Sequence, residues 1–108
     1  GVRVGTRFIA TPESAAHPEY VAKLLEAAGS DTMMTEWFGE GWEHAPHRVL
    51  RAAEAAARVS GWRQTSPPTR DVERPVEDMA MYAGTGVGDV RSVQPAAEVV
   101  ADLVRLLP

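Results

Sequence analysis

The chain has 108 residues, with 11 basic and 15 acidic side chains, a net charge of −4, 9 glycines, 8 prolines and no cysteine. One domain is expected at roughly 100 to 200 residues per domain, and a disulfide-stapled scaffold is excluded. The acidic balance argues against affinity for phosphate backbones, so no nucleic acid partner is expected. No apolar run approaches the roughly 20 residues of a membrane span, and no signal-peptide pattern is visible, so a cytoplasmic location without membrane contact is expected.

Val2 and Val4 alternate with Arg3 ahead of Gly5-Thr6, the pattern of a strand ending in a turn. Thr11-Pro12-Glu13 has the signature of a helix start, and His17-Pro18 restarts it, because the residue before proline avoids the α region. From Pro18, Tyr20, Val21, Leu24, Leu25 and Ala28 recur at helical spacing, and Gly29 is expected as a left-handed cap. Residues 31–38 fit a short strand or an extended connector equally. Gly39, Gly41 and Pro46 make a loop, after which Pro46–Val59 reads as an alanine-rich helix stopped by Gly61.

Residues 62–75, with three prolines, read as an irregular connector, and Pro75–Ala83 is compatible with a short helix. Three glycines then fall within Gly84-Thr85-Gly86-Val87-Gly88, a spacing that lets backbone amides approach a ligand or another segment. The G-x-G-x-x-G fingerprint is not met. Gln94-Pro95 opens a final helix over residues 95–107, whose face of Val99, Val100, Leu103, Val104 and Leu107 is too wide to lie free in water. That face predicts docking on a further element, or self-association of the chain when it stands alone. One strand stub, one uncertain strand, three helices and long irregular connectors make an incomplete domain, the pattern of a part of something larger.

Several segments carry a likeness in the same order: Val4-Gly5-Thr6-Arg7-Phe8, Ala10-Thr11-Pro12-Glu13-Ser14, Ala16-His17-Pro18 and Ala45-Pro46-His47-Arg48-Val49-Leu50-Arg51. Asp78-Met79-Ala80-Met81-Tyr82-Ala83-Gly84, Gly86-Val87-Gly88 and Gln94-Pro95-Ala96-Ala97-Glu98 continue it. Together they resemble the C-terminal portion of the nitronate monooxygenase family, formerly the 2-nitropropane dioxygenases. That family is itself similar to the flavin-dependent enoyl reductase of bacterial fatty-acid synthesis. The resemblance implies an α/β fold, the C-terminal fragment of an FMN-binding (β/α)8 barrel. Such a barrel takes about 250 residues.

On this likeness residues 1–8 are the end of the last barrel strand and its phosphate turn. Residues 9–75 are a mostly helical covering part, and 76–108 the glycine loop and C-terminal helix. The implied activity is FMN-dependent oxidation of alkyl nitronates with dioxygen. The family's catalytic histidine lies in the barrel portion that this chain does not match, so no catalytic residue is assigned here and the chain by itself is expected to be inactive. Two other readings stand beside this one, a related flavin-dependent enoyl reductase and a small helical interaction module without catalysis.

The resemblance places the FMN phosphate at Gly5 and Thr6, where a glycine at a strand end admits close backbone approach and the following amides can face a phosphate. It places Tyr82, Gly84 and Thr85 on the pocket. Thr85 departs from the family's Ala-Gly-Gln and offers a shorter donor than glutamine. His44 and His47 do not make a metal centre, because three or four convergent ligands are needed and Pro46 breaks their shared register. Arg48, Arg51, Arg58 and Arg63 fit a solvated face, Arg48 and Arg51 alternatively an anion grip. Met33-Met34 and Trp37-Phe38 fit either packing or a substrate pocket.

Overall fold

The computed structural model describes residues 5–42 and 44–106. The described elements are helices α1 (Gly5–Ile9), α2 (Pro18–Glu26), α3 (Arg51–Ser60) and α4 (Ala96–Arg105) and a small antiparallel sheet of β1 (Thr32–Thr35) and β2 (His47–Leu50). Two 3₁₀ turns, Gly29–Asp31 and Thr85–Asp89, lie between them in sequence.

The local rules hold at α2. The Nδ1 of His17 accepts from the Glu19 amide at 3.1 Å, Pro18 opens the helix, and Tyr20 and Leu24 face the core. They pack with Ala27, Leu50, Ala53, Val76, Met79, Met81, Ala83 and Val87. The hydroxyl of Tyr20 donates to the Tyr82 carbonyl. Phe38, Val49, Ala57 and Ala80 form a second cluster, with Met33, Trp37, Trp62 and Tyr82 against it. Gly61 ends α3 at φ 82°, as expected of a left-handed stop. Of residues 31–38, the strand alternative holds for Thr32–Thr35.

Five expectations are corrected. Residues 47–50 are strand, not the start of the alanine-rich helix, because their backbone has partners on both sides. β2 pairs with β1, with Val49 opposite Met33, while the Leu50 amide donates to the Met81 carbonyl at 2.9 Å and the Ala83 amide to the Arg48 carbonyl at 3.1 Å. That second contact also explains why Pro75–Ala83 is not a helix: residues 81–83 lie extended beside β2. Gly5–Thr6, expected at a strand end, begin α1 instead, and Thr11 closes that helix by donating to the Phe8 carbonyl rather than starting a new one. The strand residues Val2 and Val4 lie outside the described residues. Gly29 is not a left-handed cap, since α2 already ends on extended Ala27. A Cβ there would stand 2.5 Å from the Thr85 carbonyl oxygen, so close approach of the two 3₁₀ turns is what requires glycine.

The first and last segments are stitched together. The Gln94 amide donates to the Ala10 carbonyl at 3.1 Å, and the Ala96 amide to Glu13 Oε1 at 2.7 Å. α4 packs on α1 and buries Val99, while Val100, Val104 and Leu106 stay 50, 58 and 81% exposed. Leu107 lies outside the described residues. Among the described residues no helix is long and apolar enough to cross a membrane.

Two buried carboxylates are paired at helical spacing, Glu54 with Arg58 at 2.7 Å and Asp78 with Arg74 at 2.8 Å. The hydrogen bond from Arg58 holds the Glu54 carboxyl below its usual range, against the opposing effect of burial. At Asp78 burial pushes upward, but the hydrogen bonds from Arg74 and Ser60 and the charge of Arg74 outweigh it, and the carboxyl is also lowered. A depressed folded pKa means stability that is present above the unfolded values, 4.5 and 3.8, and lost as pH falls through the folded ones. The melting temperature is therefore expected to be flat above about pH 5 and to fall steadily below about pH 4. Glu54→Gln/Asp78→Asn should flatten that acid limb while lowering the plateau. An acid limb unchanged in the double variant would place the linkage elsewhere.

Candidate functional site

The 3₁₀ turn after Gly84 is held at both ends of its approach to the rest of the chain. On one side it rests on Gly29. On the other, the Gly84 amide donates to Thr6 Oγ1 at 2.9 Å, which joins residues 78 apart in sequence. Beside the Thr6–Gly84 contact opens a cleft of about 560 Å³ lined by Thr6, Arg7, Arg48, Gly84, Thr85, Gly86, Asp89 and Val90. Its size is that of a small-molecule site, for which roughly 300 to 1,000 Å³ is usual. Gly86 faces open space, with no atom within 4 Å of where a Cβ would stand.

Of the residues assigned from the resemblance, Thr6, Gly84 and Thr85 meet on this cleft, and Gly5 precedes the lining by one residue. Tyr82 does not line it. Its hydroxyl donates to the Thr65 carbonyl at 2.6 Å, its ring stands edge-on to His47 at 5.6 Å, and burial raises the pKa of its hydroxyl. The side chain thereby ties the 62–75 connector to the sheet.

The charges of the cleft are unequal. Arg7 donates through one terminal nitrogen to the Ser92 carbonyl at 2.9 Å and through the other to Gln94 Oε1 at 2.8 Å. Arg48 donates to Thr32 Oγ1 at 3.1 Å. Both thus hold neutral acceptors, and among the described residues neither makes an ion pair. Asp89 is the opposing carboxylate. The arrangement offers positive charge and open glycine backbone to an oxyanion. Arg7 and Asp89 were not singled out by sequence, although each directly adjoins a segment that was, Thr6 and the glycine run.

The other candidates are used for structure. Arg58 and Arg63 each lie over the Trp37 ring, 4.7 Å from its centroid, and Arg51 donates to the Thr32 carbonyl at 3.0 Å. Phe38 is core, Met33 packs beside it, and Met34 is half exposed. His44 is exposed at φ 61°, and His47 Nδ1 lies 2.9 Å from the Ala45 carbonyl. Neither histidine reaches the cleft.

No family model matches the chain, and no curated protein sequence does. Among solved structures it is similar to FabK from Thermotoga maritima, with a TM-score of 0.64 and 23% identity over 94% of this chain and 34% of that one. A single-substitution variant of the same protein matches with a TM-score of 0.59 and 26% identity over 94% and 31%. The chain spans about a third of the length of these structures, and it has the fold of that third.

Proposed function

We infer that the chain is the C-terminal part of an FMN-dependent oxidoreductase of the superfamily that nitronate monooxygenases share with FabK. The observation that carries this reading is the meeting of Thr6 with Gly84 and Thr85 on one arginine-flanked cleft. These are segments the family likeness assigns to one cofactor, and they lie 78 residues apart. The residues present fit the phosphate end of that cofactor, since among the described residues the cleft's guanidinium groups make no ion pair and stand beside glycine backbone with no Cβ.

A bound flavin would supply the redox chemistry. The residues of this chain hold its anionic end, and the packed turns at Gly29 and Gly84 keep that cradle rigid. The reaction proposed is oxidation of an alkyl nitronate with dioxygen. The likeness to FabK favours a second reading, reduction of an enoyl thioester.

The test is the whole polypeptide that carries this chain. It is expected to purify with flavin absorbance and to consume dioxygen with an alkyl nitronate, without turning over an enoyl thioester in the presence of reduced nicotinamide. Thioester turnover instead assigns the second reading. A colourless protein with neither activity overturns both.

A further inference from the structure

Gln94 stands between two opposite charges on different helices. Its side-chain oxygen accepts from a terminal nitrogen of Arg7 at 2.8 Å, and its side-chain nitrogen donates to Asp102 Oδ2 at 2.8 Å. A guanidinium only donates and a carboxylate only accepts, so the amide between them has a single orientation. Its backbone is pinned as well, because the Gln94 amide donates to the Ala10 carbonyl. Arg7 lies on α1 and lines the cleft, whereas Asp102 lies on α4, which contributes nothing to that lining.

The helix at the far end of this bridge is lightly held. Among the described residues α4 buries only Val99, and Val100 and Val104 stay half exposed or more. Apart from the Ala96 amide on Glu13 at its first turn, its polar tie to the rest of the described chain is the Asp102–Gln94 contact. The bond from Arg105 to Asp102 lies within α4 and is exposed, so it contributes little. At the cleft end, Arg7 has one other anchor, the Ser92 carbonyl. Without Gln94 its guanidinium turns about that single contact.

We propose that Gln94 is a latch between α4 and the cleft: the docked helix, through Asp102, fixes the amide that holds the Arg7 guanidinium at the cleft wall, and undocking of α4 frees that cation. Coupling of this kind is reciprocal, so an oxyanion that binds better to the fixed guanidinium steadies α4 in turn. The latch depends on no ligand; its effect on an oxyanion rests on the proposed function.

The experiment follows the full chain by NMR, reading hydrogen exchange of the α4 amides, that of the α3 amides as a gauge of global unfolding, and the Nε–H signal of Arg7. Gln94→Leu is expected to lower α4 protection about tenfold more than α3 protection, since two hydrogen bonds to charged groups are lost, and to shift the Arg7 signal. Gln94→Glu keeps an acceptor for Arg7 but sets a carboxylate against Asp102, and should loosen α4 as well. Adding Asp102→Asn offers that carboxylate a donor from the α4 side, so the double variant Gln94→Glu/Asp102→Asn should recover most of the protection. Inorganic phosphate, titrated until the amide shifts of residues 84–86 saturate, should raise α4 protection in the parent about fivefold and leave it unchanged in Gln94→Leu.

Unchanged α4 protection in Gln94→Leu overturns the latch. So does a fall in α4 protection with the Arg7 signal unmoved, which would make the bridge a local prop of the helix. If Gln94→Leu unfolds the chain, seen as an equal loss in α3, the swapped pair decides: recovery supports the latch and failure to recover overturns it. Phosphate that binds without protecting α4 overturns the reciprocal coupling. Absence of any phosphate response overturns the anion reading of the cleft instead, and the variants alone then decide the latch.

Discussion

Arg74→Ala is expected to lower the stability of the chain by about 3 kcal/mol, a melting shift on the order of 15 °C for a domain of this size. The Arg74 guanidinium grips both oxygens of Asp78, at 2.8 and 3.2 Å, and lies 3.5 Å from the centroid of the Trp62 ring. Asp78 is only 6% exposed. Removing the arginine leaves a carboxylate that cannot regain water and strips one face from a tryptophan that joins the two hydrophobic clusters. Replacing both partners, Arg74→Leu with Asp78→Leu, should cost less than Arg74→Ala alone, because no charge is then stranded. Denaturant melts of the three proteins decide this. A loss below about 1 kcal/mol in Arg74→Ala would mean that the pair is screened as if it lay on the surface.

Gly29→Ala is the second large effect, expected at about 2 kcal/mol, and it reaches the cleft. The added methyl would stand 2.5 Å from a backbone oxygen of Thr85, which has no flexible side chain to swing aside. The two 3₁₀ turns must separate, and Thr85 and Gly86, which line the cleft, move with them. Gly88→Ala, on the same contact, meets its nearest atoms at an ordinary 3.6 and 3.7 Å and should be tolerated. Melting temperatures and the Thr85–Gly86 amide shifts of the two variants provide the check. Equal behaviour of the pair would mean that the turns are not in contact in solution.

The contrast at Gly29 also marks how far the sequence could be read. Helix signals act within a turn or two, and so Pro18 as a start, Gly61 as a stop and Pro95 before α4 are all visible in the sequence. β2 is not visible, because the residues that make His47–Leu50 a strand lie at 32–35 and 81–83, and alanine-rich sequence downstream masks the boundary. Gly29 reads locally as a cap and is needed for a neighbour more than 50 residues away. The cleft follows the same division. Thr6, Gly84 and Thr85 are marked by the family resemblance, whereas the charge balance of Arg7, Arg48 and Asp89 exists only after α1, β2 and the second turn are brought together. Tyr82, assigned to the pocket by the resemblance, contacts His47 and the connector in this chain, partners that lie 35 and 17 residues away from it in sequence.

The stitching of the first segment to the last sets the order in which this chain can fold. Arg7 reaches Ser92 and Gln94 across 85 and 87 residues, and Glu13 reaches the Ala96 amide across 83. Closing loops of that length costs more entropy than pairing β1 with β2 across the short 36–46 segment, so the sheet and its helix can form before the ends are joined. The cleft, with Thr6 from one end of the chain and Gly84 from the other, comes into being only at that late closure. A chain in which these segments are still apart lacks the cleft.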